Sequence, residues 1–251
     1  MTDDKKIYFA SDFHLGLEAV MEPLVREKHV VKWLSSIEDS ASEIYLVGDI
    51  FDFWWEYKSV VPKGFTRFLG KISELTDRGI RIHFFTGNHD MWIRDYLSKE
   101  CGMILHTGPV STELLGKNFY IAHGEGLGPN DISYKLLLWA FRNRVLRKMY
   151  SFLHPRIGLA IAHRWTKHSR LTKNYSNGFR GAENENLVKH AQYILQSERV
   201  DYFIFGHRHI AYEYDTGNND SKIFFLGNWF NAPCYVSWDG ERAILNDFRY
   251  H

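Results

Sequence analysis

Five short stretches carry metal-type side chains at small fixed spacings: Asp12-Phe13-His14, Gly48-Asp49, Gly87-Asn88-His89-Asp90, His123-Gly124 and Gly206-His207-Arg208-His209. Carboxylates, imidazoles and one amide oxygen form a mixed oxygen and nitrogen donor set. That mixture suits Mn²⁺, Fe²⁺ or Zn²⁺, and the lack of thiolate argues against a closed structural zinc site. Seven ligands, Asp12, His14, Asp49, Asn88, His123, His207 and His209, are enough for two ions that share one carboxylate. Paired ions about 3.5–4 Å apart clamp the attacking and leaving oxygens of a phosphoryl group and lower the pKa of a bound water. The chemistry expected is phosphoester hydrolysis with two divalent ions. Taken singly, each stretch has an ordinary reading. Asp-x-His is common by chance, Gly-Asp is a common turn, and a lone His123 fits a satisfied core imidazole. Their shared context separates them from coincidence, because each one directly follows a short apolar run.

Those runs are Ile7 to Ala10, Ile44 to Val47, Ile80 to Phe85, Phe119 to Ala122 and Tyr202 to Phe205, and their length and composition predict strands. Between them, Val20, Leu24, Val31 and Leu34 recur at helical spacing, and further helix patterns fill 65–76 and 183–197. Strands alternating with helices predict an α/β fold with parallel pairs. Ligands gather beyond the carboxyl ends of such strands, so the five stretches converge if the strands share one sheet. Residues two apart on an extended segment point to one side, which would pair Asp12 with His14 and His207 with His209. The glycines at 48, 87, 124 and 206 allow tight turns and close backbone approach. Residues 131–170 read differently: two helical segments, Ile132 to Leu153 and Arg156 to Ser169, follow each other with no strand between. They predict an insertion, leaving 1–130 and 171–251 as the main domain. Apolar runs from Ile223 to Phe248, broken at Asp239-Gly240, predict a terminal hairpin.

Composition narrows the partners. The chain has 251 residues and a formal net charge of +1, so bulk electrostatics make no case for nucleic acid. The two cysteines, Cys101 and Cys234, suit neither a disulfide framework nor a thiolate metal site and are expected to be packing residues in a reducing compartment. A charged N-terminus leads straight to the first strand, so no signal peptide is expected, and no apolar run is long enough to span a bilayer. The insertion is the exception to this even balance. Leu136-Leu137-Leu138-Trp139-Ala140-Phe141 is apolar all round, Met149, Tyr150, Phe152 and Leu153 extend it, and Arg142, Arg144, Arg147 and Lys148 are interleaved. Apolar faces beside a basic cluster suit acyl chains next to phosphate, or an anionic membrane surface; burial in a core or a dimer suits them equally. The aromatic run Phe51, Phe53, Trp54, Trp55 and Tyr57 suits either a pocket mouth or packing against the insertion.

The five stretches, in this order over residues 12 to 209, resemble the calcineurin-like metallophosphoesterase superfamily, whose pattern is D-x-H, G-D, G-N-H-[DE], a later H and G-H-x-H. The resemblance implies an α/β (α+β) four-layer fold of two packed β-sheets flanked by helices, with a dinuclear site at one edge. Carried over by position, Asp12, His14 and His209 hold one ion, Asn88, His123 and His207 hold the other, and Asp49 bridges them. His89 faces the substrate phosphate as general acid or charge stabiliser, oriented by Asp90.

Within that superfamily the chain is similar to the UDP-2,3-diacylglucosamine pyrophosphohydrolases of lipid A synthesis. The similarity rests on Gly48-Asp49-Ile50-Phe51-Asp52-Phe53-Trp54, on His123-Gly124-Glu125-Gly126-Leu127 with Asn130-Asp131, on the two-helix insertion, and on Ser169 to Asn174. It implies hydrolysis to UMP and 2,3-diacylglucosamine 1-phosphate (lipid X), two ions that are most often Mn²⁺, and a helical lid over the acyl chains. It also implies substrate contacts from Ser169, Arg170 and Lys173, and a peripheral place on the cytoplasmic face of the inner membrane. Another nucleotide or lipid phosphodiester is the alternative substrate. Where many members read Gly-Asn-Arg-Asp, this chain has His at position 89.

Overall fold

The computed structural model describes residues 5–18, 21–128, 135, 138–141, 143–158, 160–161, 178–217 and 220–248. Along β1 (Lys6–Ala10), Ile7 and Phe9 face one side and Tyr8 and Ala10 the other, and all four are buried. The same holds for β2 (Ala41–Val47), where Tyr45 and Val47 oppose Ile44 and Leu46. Strands covered on both faces read as unbroken apolar runs rather than alternating ones, and such runs are what the sequence shows here.

The strands form two sheets rather than one. In the first, β1 and β2 lie parallel with β3 (Arg81–Phe85) and β4 (Ile104–His106), and β10 (Cys234–Trp238) and β11 (Ala243–Asp247) extend the β1 side antiparallel, giving the order β11-β10-β1-β2-β3-β4. The second sheet has the order β5-β6-β7-β9-β8, from β5 (Val110–Leu114), β6 (Lys117–Ala122), β7 (Tyr202–Phe205), β9 (Lys222–Leu226) and β8 (Ala211–Asp215). Its core β6-β7-β9 is parallel and its edges antiparallel. The five strands before the ligand stretches are thus divided between two sheets, as the fold implied by the resemblance requires. Ile7, Phe9, Tyr45, Val47, Phe119, Ile121, Ile204, Phe224 and Trp238 form one apolar cluster drawn from both sheets. Phe9 stacks on Phe119 with centroids 5.5 Å apart. The Asp239-Gly240 hairpin joins β10 to β11 as expected, with Asp239 Oδ1 accepting from the N–H of Glu241 and Arg242.

The outer face of the first sheet carries α1 (Pro23–Ile37), α2 (Thr66–Asp77) and α3 (Tyr96–Cys101). Pro23 opens α1 at its first turn, where a missing N–H costs nothing. The buried stripe of α1 is Arg26, Glu27, Val30, Trp33, Leu34 and Ile37. Of the expected positions, Leu34 is buried and Val31 packs against the core, but Leu24 is exposed and Trp33 takes the central place, while Val20 lies outside the described residues. Trp33 packs edge-on to Phe13 and Trp229, and truncating a side chain of that size in a core costs about 3–5 kcal/mol. Glu27 turns its Oε1 to the N–H groups of Arg67 and Phe68 and so caps α2 from the neighbouring helix.

Two compact units emerge: residues Met1–Glu125 with Ala191–His251, and residues Gly126–His190. Within the second, residues 138–141 are helical, then Asn143 takes extended backbone and accepts from the N–H of Val145 and Leu146 before α4 (Arg144–Ser151) begins. The expected helix from 132 to 153 is thus broken at Asn143, whose side chain competes for backbone donors and starts a new helix. The apolar face of α4, Val145, Leu146 and Met149 followed by Phe152, is exposed, with Met149 at 63% and Phe152 at 79%. A further helix, α5 (Asn186–Ile194), precedes β7.

Candidate metal centre

Each parallel strand of the site stops just before its polar residues. β1 ends at Ala10, β2 at Val47, β3 at Phe85, β6 at Ala122 and β7 at Phe205. The first three belong to one sheet and the last two to the other, so the site draws on both. Asp12 and His14 are not on an extended segment, nor are His207 and His209. Their φ angles are 56° and 44°, and 63° and 56°, and Asp49 has 53°. Five of the eight non-glycine residues with positive φ among the described residues are therefore expected ligands. Left-handed backbone costs an ordinary residue about 1–2 kcal/mol, and such strain persists where the surroundings impose it, commonly at functional sites. Left-handed backbone, not strand alternation, aims these pairs.

Close packing enforces this shape. A Cβ on Gly206 would lie 2.2 Å from Ser11 Oγ and 2.7 Å from Asp12 Oδ2, and one on Gly87 would lie 2.3 Å from Asp49 Oδ1. The side chain of Asp12 is held by the N–H of His207, which donates to Oδ2 at 3.0 Å, and by the Ser11 hydroxyl at 2.7 Å. Its other oxygen lies 3.0 Å from His209 Nε2 and 3.6 Å from His14 Nε2. Asp49 Oδ1 accepts from the N–H of His89 at 2.9 Å. Asp49 Oδ2 is left facing His123 Nε2 at 3.3 Å, His14 Nε2 at 3.8 Å and His89 Nε2 at 4.0 Å. The ring of His123 donates from Nδ1 to the carbonyl of Val47 at 2.8 Å, which leaves Nε2 as the free lone pair.

Donor atoms gather in three groups within 4.8 Å: Asp12, His14 and His209; His14, Asp49 and His89; and Asp49, His123 and His207. The first comprises Asp12, His14 and His209 of one expected set, the third joins His123 and His207 of the other to Asp49, and the second brings Asp49 to His14 and His89. Asn88 Oδ1 is buried with no hydrogen-bond partner, and Asp12 Oδ1 and His123 Nε2 are buried with only the neighbouring imidazoles and the Asp49 carboxylate to face. Orphaned buried acceptors are costly, and a pair of divalent cations would satisfy all three. The donor set, hard oxygen with imidazole, fits such ions.

The electrostatics point the same way. Burial alone would raise the pKa of Asp12, but His209, His14 and His123 outweigh it and hold the carboxyl well below its usual range. Asp49 is likewise held down against burial, by His123, His89 and His14. Burial disfavours the charged form of His14, yet Asp12, Asp52 and Asp49 lift its pKa to about 9. His123 is raised well above its usual value against burial, chiefly by Asp49. His207 is driven down to about 3 by burial and by His123. Concentrated acid and imidazole of this kind binds protons or metal, and the two compete.

One site residue has a role that differs from expectation. Asp90 does not orient the His89 ring. It is fully buried, its Oδ1 accepts from the N–H of Gly87 at 2.7 Å, and its Oδ2 accepts from Ile50 at 2.8 Å and Phe51 at 3.3 Å. It staples the loop after β2 to the loop after β3. His89 is instead held by residue 52: its Nδ1 donates to the carbonyl of Asp52 at 2.8 Å, while His14 Nδ1 lies 3.4 Å from Asp52 Oδ1. Sequence reasoning missed Asp52, although a second carboxylate three residues after Asp49 was the available signal. The aromatic run divides, with Phe53 and Tyr57 half-buried and the other three buried. Phe51, Trp54 and Trp55 are buried, with Phe51 against Trp54 and Phe84 and Trp55 against Trp92. Cys101 and Cys234 are free and buried. Ser169, Arg170 and Lys173 lie outside the described residues.

The profile of the calcineurin-like phosphoesterase family matches residues 5–211. A UDP-2,3-diacylglucosamine hydrolase of Porphyromonas gingivalis is 40% identical over 96% of each chain. Proteins of the same description from Histophilus somni, 26% identical over 90% of this chain and 92% of theirs, and from Nitrosococcus oceani, 23% identical over 96% and 94%, are also similar. On the strength of that match and of the donor cluster at the strand ends, the chain belongs to the calcineurin-like phosphoesterase family of metal-dependent hydrolases.

Proposed function

We propose that this chain hydrolyses the pyrophosphate bond of UDP-2,3-diacylglucosamine, releasing UMP and 2,3-diacylglucosamine 1-phosphate. The reaction class rests on one observation: Asp49 Oδ2 stands 3.8 Å from His14 Nε2 and 3.3 Å from His123 Nε2, between two donor sets. The substrate rests on the full-length similarity to the Porphyromonas gingivalis hydrolase.

Asp12, His14 and His209 would hold one ion, Asn88, His123 and His207 the other, and Asp49 both; Mn²⁺ suits this set, with Fe²⁺ and Zn²⁺ as alternatives. When bound, such a pair supplies charge for the phosphoryl oxygens and a water acidified for attack on the α-phosphorus. A new bond forms from water oxygen to that phosphorus, and the bridging P–O bond to the sugar phosphate breaks. Held by its Nδ1–H on the Asp52 carbonyl, the His89 ring keeps Nε2 toward Asp49 and the site. There it can donate a proton or a hydrogen bond to the phosphate. Asp90 keeps the loops bearing Asp49 and Asn88 in register.

The insertion at 131–170 serves the acyl chains as a lid. The exposed face of Val145, Leu146, Met149 and Phe152, beside Arg144 and Lys148, supports this and a peripheral place on the cytoplasmic face of the inner membrane. No helix among the described residues is long and apolar enough to cross a membrane. Ser169, Arg170 and Lys173 are proposed substrate contacts.

The test is UMP release from UDP-2,3-diacylglucosamine in mixed micelles with Mn²⁺, against a panel of soluble nucleotide diesters. In ¹⁸O-water the label should enter UMP. Turnover of the soluble panel alone would replace the lipid substrate with another phosphodiester, and label in the lipid product would place the attack on the other phosphorus.

A further inference from the structure

His14 has the smallest φ of the left-handed site residues, 44°, and something must hold it there. Part of the answer lies below the site, on α1. Arg26 is fully buried, which is rare for a charged side chain. Its Nη1 donates to the carbonyl of His14 at 2.8 Å and to that of Leu17 at 3.1 Å, and its Nη2 donates to Met21 at 3.3 Å. The guanidinium carbon also sits 5.8 Å from the centre of the Phe230 ring. Phe230 in turn stands edge-on to the rings of His14, at 5.8 Å, and His209, at 5.5 Å. Its turn is set by Asn228, whose Oδ1 accepts from Phe230 and Asn231 and whose Nδ2 donates to the carbonyl of His209. One cation thus grips the peptide of one imidazole and underlies the aromatic ring that walls both.

We propose that Arg26 is a positioning residue for the Asp12–His14–His209 ion site, acting through the His14 carbonyl and through Phe230. Two features separate this from a general packing role. Desolvating a guanidinium costs several kcal/mol, and apolar replacements of buried charges are often neutral or stabilising, so stability alone does not account for the residue. The contact is also geometric: a planar fork addresses three carbonyls at once from two nitrogens, which a lysine ammonium cannot reproduce in the same place. Outer partners that orient metal ligands typically change metal affinity by about 10–100-fold. The inference rests on the two-ion reading of the site, and the test keeps the two apart.

Arg26→Met, Arg26→Lys and Phe230→Leu are made in the full chain. Mn²⁺ is titrated into metal-free protein by calorimetry, and the paired-ion signal is followed by electron paramagnetic resonance, at a temperature where circular dichroism shows each variant folded. The expected result is two ions in the wild-type protein. Both Arg26 variants should lose about 10–100-fold in affinity at one site only, with a single-ion spectrum at intermediate Mn²⁺ and kcat lowered without a matching rise in KM. Native affinity at both sites in a folded Arg26 variant overturns the inference alone. If neither Arg26 variant folds, Phe230→Leu decides, because it removes the ring without touching the buried charge: weakened binding at one site supports the proposal, and native binding overturns it. A wild-type protein that takes up fewer than two ions overturns the two-ion reading and, with it, this inference.

Discussion

Replacing Asp90 separates a structural staple from a catalytic partner. The carboxylate accepts three N–H groups, from Gly87 at 2.7 Å, Ile50 at 2.8 Å and Phe51 at 3.3 Å, and no part of it is exposed. In Asp90→Ala all three donors stay buried and lose their acceptor. A buried unsatisfied donor costs about 1–3 kcal/mol. The Phe51 contact is long, and losses in one network are not additive, so a total of about 3–5 kcal/mol is expected. Asp90→Asn is milder: the amide oxygen can keep either the Gly87 bond or the Ile50 and Phe51 pair, and the NH₂ then opposes the other, at a cost of about 1–3 kcal/mol. Urea unfolding with unchanged slope measures these values. Activity should fall in both variants, because residues 50 and 87 adjoin the residues that carry Asp49 and Asn88. If Asp90→Asn kept full stability yet lost as much rate as His89→Ala, Asp90 would be acting on His89 rather than on the backbone, and this reasoning would be wrong.

His89→Ala should lower kcat by about 10²–10⁴-fold with two ions still bound by elemental analysis; normal turnover with both ions present would remove its assigned role. Asp49→Ala should release the ions themselves, which the same elemental analysis reads. Gly206→Ala should impair metal uptake, since its Cβ would press on Ser11 and Asp12, and unaltered Mn²⁺ titration would show that the site is looser than described. On the β2 to β3 surface, His83, then Arg81 and Tyr45, draw the Glu43 pKa from 4.5 down to about 2, against burial. A depressed carboxyl stabilises the fold above its unfolded pKa and loses that contribution as pH falls through the folded one. Between about pH 4.5 and 2, wild-type stability should therefore fall more steeply than that of Glu43→Gln, and parallel curves would refute the coupling. Met149→Ser with Phe152→Ser should weaken sedimentation with anionic vesicles while sparing hydrolysis of a short-chain substrate; unchanged binding would dissociate this face from lipid.

The donor set was legible in the sequence because ligands must be particular residue types and must follow strands closely. Asp12, His14, Asp49, Asn88, His123, His207 and His209 needed no coordinates to be named, and the five strands before them were equally readable as apolar runs. The short edge strands β4, β5 and β8 were not, since half-exposed segments such as Val110–Leu114 and Ala211–Asp215 carry little apolar signal. Pattern also could not divide the strands between two sheets. A strand buried on both faces looks the same whether its neighbour is a helix or a second sheet, and only pairing over distances such as Ile121 with Ile204 decides that. The partners of His89, Asp90 and His14 were likewise decided by tertiary structure. A carboxylate or guanidinium will accept or donate to whatever the fold brings near, so Asp90 meets backbone N–H groups, the Asp52 carboxylate meets the His14 ring, and Arg26 reaches across from a helix to the His14 carbonyl. Ligand identity is a matter of side-chain chemistry and is written locally; ligand orientation depends on groups far away in the chain, and folding alone brings those together.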